Sequence, residues 1–367
     1  MELVFTKEEL LRAIQVLQGV AAGRNTLPIL SNILIRAANG QIEIAATDLE
    51  VGIKIVVPGT VLDEGGITIS ARKLAEIVRE LPPEEIKLST TANDRVEITC
   101  GEGVYKIIGL PDDEFPDLPS IQSAFFTMDA EVLRSTIYKT EFAASTDEAR
   151  YFLNGLYFYL TPEKTEVVAT DGRRLAVVSG EPLTPPPEEP VGIILPLKAV
   201  REITRTFAES AEVKISLLEN QILFADDEAT LTSRLVEGEY PQYQQIIPQD
   251  HEISTVVERE RLLDAVRRVA LLANQKTHSI RLDIQEDVIR VSARAPELGE
   301  AHETVSVKSS NGNVEIGFDA RYLADALQHI QTEDVVIELK DAHTAAVFKP
   351  VGEEGHLCLV MPMRLES

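Results

Sequence analysis

The chain has 367 residues, 44% of them hydrophobic, with 35 basic and 60 acidic side chains and a formal charge of −25. That length predicts two or three domains, and the ordinary apolar content lets each bury a core. No apolar run reaches about 18 residues, which excludes a membrane-spanning helix, and the net charge alone argues against nucleic acid, because phosphate contacts need Lys and Arg.

The opening residues, MELVFTKEELL, lack the basic start and long apolar run of a signal peptide. A helix is predicted over 7–18, followed by strands in "LSNILIRAANGQIEIAATD" (30–48). A second helix follows in "ARKLAEIVREL" (71–81), then the alternating strand "EEIKLS". The order then repeats. Helix 129–140 precedes "LNGLYFYLTPEKTEVVATD" (153–171), helix 197–207 and "AEVKIS". Helix 257–272 precedes "IRLDIQEDVIRVSAR" (280–294), "ARYLADALQHI" (320–330) and "EDVVIEL".

Thr47 and Thr170, in matching "ATD" text, are 123 residues apart. The second helix of each copy places apolar residues at i, i+3, i+4 and i+7. These are Leu74, Ile77, Val78 and Leu81; then Val200, Ile203, Thr204 and Phe207; then Leu323, Ala326, Leu327 and Ile330. Each copy is too large for a short solenoid repeat, so three tandem α+β domains are expected, at 1–120, 121–250 and 251–367. The connectors "LPDDEFPDLPS" (110–120) and "YPQYQQIIPQD" (240–250) are marked by proline, and "PLTPPPEEP" (182–190) reads as a surface loop.

Charge is unevenly spread. Segments 7–19, 71–81, 129–140, 196–208, 257–271 and 319–330 together carry 15 basic and 12 acidic residues, leaving 20 basic and 48 acidic elsewhere. Mixed charge on amphipathic helices is one reading. The other is a body whose helices present Arg72, Lys73, Arg79, Lys198, Arg201, Arg205, Arg267 and Arg268 to one side and whose sheets present acid to the other.

Motifs for chemistry are sparse. The six histidines lie in the last third with no metal-ligand spacing, and no P-loop, GxGxxG or GxSxG occurs. "GEG" (101–103) and "GEEG" (352–355) read as strand turns. Asp48 and Asp171 could be paired carboxylates of a nuclease or nucleotidyl enzyme, but "TD" at a hairpin end suits a turn. Cys100 and Cys358, in strand-like text, read as buried thiols of a cytoplasmic protein. No cofactor is expected.

"GRNTLPILSNILI" (23–35), "ATDLE" (46–50), "RYFLNGLYF" (150–158), "VATDGRRLAVV" (168–178), "SRLVEGEYPQY" (233–243) and "LVMPMRL" (359–365) together resemble the bacterial DNA polymerase III beta subunit, the sliding clamp family, over the whole length. The resemblance implies a head-to-tail homodimer, a six-domain ring with twelve helices lining the hole and sheets outside. Twelve helices each roughly 10 Å across give a ring about 38 Å wide through the helix axes and a hole somewhat under about 30 Å. It implies a processivity factor with no catalysis of its own, encircling duplex DNA without reading sequence, and no membrane partner. A modestly basic lining suits sliding, since tight contacts would stop it.

The resemblance also implies an apolar cleft between the second and third domains. There the replicative polymerase, the clamp loader, other polymerases and repair proteins dock short peptides. Its wall would use Leu153, Thr170, Gly172, Arg173, Arg174, Leu175, Pro241, Ile246, Ile247, Val360, Met361, Pro362, Met363 and Arg364. Methionines suit a cleft that accepts many peptides, because they repack cheaply. A plain core strand is the simpler reading of "LVMPMRL", and the two can coexist. Arg173 stands where the family often has His, and Glu366 and Ser367 extend past the usual end. DNA would be approached by Arg24, Arg150 and Tyr151 besides the helix cations. The dimer seam would set Tyr105 and Ile107 against Leu271 and Leu272. A monomeric three-domain scaffold that never touches DNA is the rival expectation.

Overall fold

In the computed structural model, residues 1–21, 27–91, 93–120 and 125–364 are described; Arg24, Glu366 and Ser367 lie outside them. The first repeat runs β1 (Glu2–Thr6), α1 (Lys7–Ala21), β2 (Asn32–Ala38), β3 (Gln41–Thr47), β4 (Val51–Val57), β5 (Thr60–Asp63), β6 (Gly65–Ser70), α2 (Ala71–Glu80), β7 (Glu85–Thr91), β8 (Arg95–Cys100) and β9 (Gly103–Leu110). The second runs β10 (Phe126–Asp129), α3 (Ala130–Thr140), β11 (Gly155–Leu160), β12 (Thr165–Thr170), β13 (Arg174–Gly180), β14 (Val191–Pro196), α4 (Leu197–Thr206), β15 (Glu212–Leu217), β16 (Gln221–Ala225) and β17 (Ala229–Arg234). The third runs β18 (Ile253–Glu258), α5 (Arg259–Ala270), β19 (Ser279–Ile284), β20 (Val288–Ala295), β21 (Gly299–Ser310), β22 (Val314–Asp319), α6 (Ala320–His329), β23 (Asp334–Leu339), β24 (Ala346–Pro350) and β25 (His356–Val360).

The helices form where the apolar spacing put them. Leu74, Ala75 and Val78 of α2 are buried, as are Leu323, Ala326 and Leu327 of α6. Side-chain caps start both: Ser70 accepts from the Lys73 amide and Asp319 from the Arg321 amide. The stripe on α4 departs from expectation. Thr204 is exposed, while Glu202 is buried and pairs with Arg205 across one turn. Burial pushes the Glu202 carboxyl above its ordinary range.

Compactness divides the chain into two units, not three. One holds Met1–Arg134 and Lys198–Leu235; the other holds Ser135–Leu197 and Val236–Ser367. The second repeat is shared between them, and strand pairing supplies the reason. In the first unit β4 pairs antiparallel with β17, Ile53 opposite Leu231, so β10, β15, β16 and β17 extend the sheet of the first repeat. In the second unit β13 pairs antiparallel with β25, Leu175 opposite Leu359, so β11–β14 extend the sheet of the third repeat. A hydrogen-bonded ladder and a buried face hold each join.

Both cysteines are buried and unpaired. Burial pushes the Cys358 thiol up to about 12. Beside it His356 is buried, and burial first, then the nearby Lys139 ammonium, lowers it to about 4. The folded state thus holds His356 neutral, and the unfolded chain takes up the proton first. Stability from this residue is full above about pH 6.5 and is lost as pH falls toward about 4. The whole effect is at most about 3 kcal/mol. Urea midpoints across that window should drop more steeply for the natural chain than for His356→Gln; equal slopes would contradict the assignment.

Candidate functional site

The hairpin turn between β12 and β13 is built by one aspartate. Asp171 Oδ1 accepts the amides of Arg173 (2.8 Å) and Arg174 (3.1 Å), and Gly172 takes φ +84°. Thr170 is buried below, its hydroxyl accepting from the Gly172 amide and donating to the Arg174 carbonyl. The same device recurs 123 residues earlier, where Asp48 Oδ1 accepts the amides of Glu50 (3.0 Å) and Val51 (2.8 Å). The two aspartates are turn formers, and their second oxygens are also engaged. Asp171 Oδ2 accepts from Arg174 Nε at 3.1 Å, and Asp48 Oδ2 pairs with Lys198.

Arg174 is held on several sides. Its guanidinium also pairs with Asp325 of α6, lies 4.7 Å over the Tyr322 ring and is 5.5 Å from that of Phe142. Such a clamp presents the arginine in one orientation. Below it, Val168, Leu175, Val177, Tyr243, Ala345, Val347 and Leu359 form a buried cluster, with Ile247, Tyr157, Tyr240 and Leu357 packed against it. Tyr157 and Tyr240 stack with ring centres 4.7 Å apart.

The C-terminal strand borders this cluster. Cys358, Leu359 and Val360 are core, as the simpler reading had it. Beyond them the Met361 amide donates to the Arg173 carbonyl (2.9 Å), and the Met363 amide donates to Gly317 of β22 (2.8 Å). The strand therefore changes partner at Pro362, which has no amide to donate. Met361 is 39% exposed, and Pro362 and Met363 are half-buried. The residues brought together by pairing and packing are Arg173, Arg174, Leu175, Ile247, Val360 and Met361. Ile246, Pro241 and Arg364 are exposed beside them in sequence, and Leu153 is buried at the end of a short 3-10 segment with its carbonyl bonded to the Ser145 amide. Sequence reasoning missed Tyr157, Tyr240, Tyr243, Val347 and Asp325. The aromatic "EYPQY" was the available signal for two of them.

The other predicted residues are differently placed. Arg72 and Lys73 are exposed on α2 but both bind Glu76, at 2.8 and 2.7 Å. Lys198 is half-buried against Asp48, not a free cation on the surface, and burial lowers it from its ordinary value. Arg79 and Arg201 are exposed, with no ion pair to another described residue. Arg150 donates to Asp147 and to the Asp171 carbonyl, and Tyr151 is exposed. Tyr105 and Ile107 lie on β9, Tyr105 exposed and Ile107 half-buried, while neighbouring Ile108 is 76% exposed. At the end of α5, Leu271 is 77% exposed and Leu272 half-buried.

The two turn aspartates should differ when replaced. Asp171→Ala leaves Arg174 with Asp325, whereas Asp48→Ala leaves a half-buried ammonium without its direct partner. We expect Asp171→Ala to cost about 1–2 kcal/mol and Asp48→Ala about 3 kcal/mol, read from urea denaturation. The reverse order would contradict this account.

Family models for the DNA polymerase III beta subunit match along the chain: the N-terminal domain at 1–119, the central domain at 127–242 and the C-terminal domain at 244–364. A beta sliding clamp of Pseudomonas aeruginosa is 34% identical over 368 residues, covering all of both chains. The solved DNA polymerase III beta subunit of that organism superposes with a TM-score of 0.93, and the sliding clamp of Bacillus subtilis, 26% identical, with 0.95; each covers both chains in full. The P. aeruginosa clamp has also been solved bound to griselimycin, at 34% identity and a TM-score of 0.94 over both full chains. With three tandem clamp domains, this chain belongs to the DNA polymerase III beta subunit family, the bacterial sliding clamps.

Proposed function

We propose that two copies of this chain close head to tail into a ring around duplex DNA and tether the replicative polymerase and other partners through the apolar cleft. The observation that carries this is the pattern of strand joins. The third strand after the first helix of one repeat pairs with the last strand of the next: β4 with β17, β13 with β25. One member of each kind is left over, β21 of the third repeat and β9 of the first. Among the described residues, 103–108 of β9 pair only with β8, and 299–306 of β21 only with β20. A third join of the same kind would unite β21 of one copy with β9 of the other. Exposed apolar strand edges otherwise invite disordered association. Tyr105, Ile107, Leu271 and Leu272 would line that seam.

The domains are assigned to 1–120, 121–250 and 251–367. Arg24, Arg72, Lys73, Arg79, Arg150, Tyr151, Lys198, Arg201 and Arg205 face or steady the DNA path, with Arg79 and Arg201 the least neutralised. Lys198 and Arg205 act mainly by holding α4. The peptide wall is the set from Leu153 to Arg364 given above, with Leu175, Ile247, Val360 and Met361 apolar and Arg174 fixed by Asp171 and Asp325. Leu153, Thr170 and Val360 shape it from behind. The protein works in the cytoplasm, without a cofactor and without catalysis of its own; Asp48 and Asp171 serve turns and ion pairs instead.

Negative-stain imaging should show two-fold rings with a central hole, and sedimentation a mass of two chains. Tyr105→Arg with Leu271→Arg should raise the dimer dissociation constant at least tenfold. A natural chain that stays monomeric at high concentration would overturn the ring. Met361→Ala with Arg174→Ala should weaken a polymerase-derived peptide about a hundredfold in a titration while the dimer mass is kept. Unchanged affinity would refute the cleft.

A further inference from the structure

The 123-residue repeat places two equivalent positions in the molecule, and the chain furnishes them with different side chains. In the second unit, Tyr138 and Lys139 of α3 meet the end of α6 and the turn before β25. The Tyr138 ring lies 4.7 Å from that of His329, and its hydroxyl reaches the Gln328 carbonyl at 3.5 Å. Phe142 stacks on the far side of the group, 4.3 Å from His329. The Lys139 ammonium, largely buried, pairs with Glu353 of the β24–β25 turn. At that position a partly exposed aromatic ring, Tyr138 at 38%, and a largely buried lysine lie against α6 and the turn.

Counting back 123 residues, Tyr138, Lys139 and His329 become Gln15, Val16 and Thr206. All three line an open groove of about 1000 Å³ in the first unit, between α1, the end of α4 and the β16–β17 turn. Its floor is apolar, with Ala13, Val16 and Ile55 among the lining residues. The Thr206 hydroxyl is buried on its wall without a hydrogen-bond partner. Arg12 bridges to Glu209 and Glu228 at 3.4 and 3.6 Å, but all three side chains are exposed, so those pairs hold weakly.

The charge of the groove says what would enter. Its lining carries six carboxylates and three cations. Each cation already has an acidic partner: Arg12 as above, Lys214 with Asp227 and Arg205 with Glu202. The remaining field is negative, which repels phosphate and attracts lysine. A space of this size with an apolar floor takes several side chains rather than an ion.

We propose that this groove docks a cationic segment of a partner protein, an aromatic ring seated over Ala13 and Val16 and an adjacent lysine directed to the carboxylates of the β16–β17 turn. The occupant reproduces between two chains what Tyr138 and Lys139 do within one. The site is separate from the cleft at Met361.

The probe is a short fluorescent peptide carrying the sequence Ser-Thr-Ile-Tyr-Lys-Thr flanked by lysines, compared with the same peptide with glutamates for lysines. Fluorescence anisotropy should show the lysine form binding and the glutamate form at least tenfold weaker. Ala208→Trp, which fills the groove from an exposed position, should weaken binding at least tenfold, and so should the exposed Glu228→Lys; Met361→Ala should leave it unchanged. Should Ala208→Trp fail to fold, Glu228→Lys decides. Equal affinity for both peptides, indifference to Glu228→Lys, no binding at millimolar peptide, or displacement of the peptide by a duplex oligonucleotide would each overturn the proposal.

Discussion

The arrangement of this molecule depends on strand edges that cannot be left bare. Each repeat ends one of its sheets on a strand whose far side carries unpaired amides and carbonyls, and such groups must be paired, covered or wetted. β4 finds β17, and β13 finds β25. Those two joins explain why compactness cuts the chain through the second repeat: its halves belong to different sheets. They also bring Arg174 and Leu175 beside Leu359 and Val360. The β13–β25 ladder ends at Arg174 opposite Val360, where the Asp171 turn and Pro362 both release the backbone from regular pairing. A heterologous join of this type either closes into a ring or runs on as a filament, according to the rotation at each step. Closure would need the join seen twice within the chain to recur once between copies.

Charge follows the same logic of reuse. The second helix of each repeat carries an acid at one position, Glu76, Glu202 and Asp325, and each is spent differently. Glu76 takes Arg72 and Lys73 at the surface, Glu202 is buried with Arg205, and Asp325 fixes Arg174. The local cations are thereby partly neutralised, and the excess of basic over acidic residues read from the helices overstates the free charge they offer. For a ring that slides, that is the appropriate sign of error. Affinity for DNA grows with each phosphate neutralised and would become a brake.

The helices, the turn aspartates and the threefold order were legible in the chain because they rest on local chemistry: 3.6-residue apolar spacing, Asx turns and caps. The cleft was legible only through resemblance. The residues proposed for it come from segments distant in sequence, among them "ATDGRRL", "EYPQYQQII" and "LVMPM", and nothing local says that they meet. Asp325 shows the limit most clearly. It sits on the polar side of an ordinary amphipathic helix, and only the fold reveals that it faces Arg174, 151 residues away. Thr204 and Glu202 mislead in the opposite sense. Periodicity placed the threonine on the inner stripe, but it is exposed, while Glu202 is buried and paired with Arg205. Where a helix touches a second domain, its buried stripe widens toward that domain, and a single-helix pattern cannot contain that information.

The two joins within the chain are covered differently. Gly52 of β4 corresponds at the 123-residue spacing to Leu175 of β13. A Cβ at Gly52 would meet Leu118 at 2.5 Å, so the connector after the first repeat lies directly on the strand. Leu118 and Ile29 pack there against Leu34, Ala45 and Phe115. At the second join, Leu175 occupies the space that glycine leaves open. The connector brings Tyr243 into the cluster and leaves Ile246 exposed at its edge. Both connectors pack on their strand join, the first through Leu118 over a glycine and the second through buried Tyr243 beside Leu175. At the first join a glycine lets Leu118 lie on the strand; at the second a leucine joins a buried cluster with Val168, Tyr243 and Leu359.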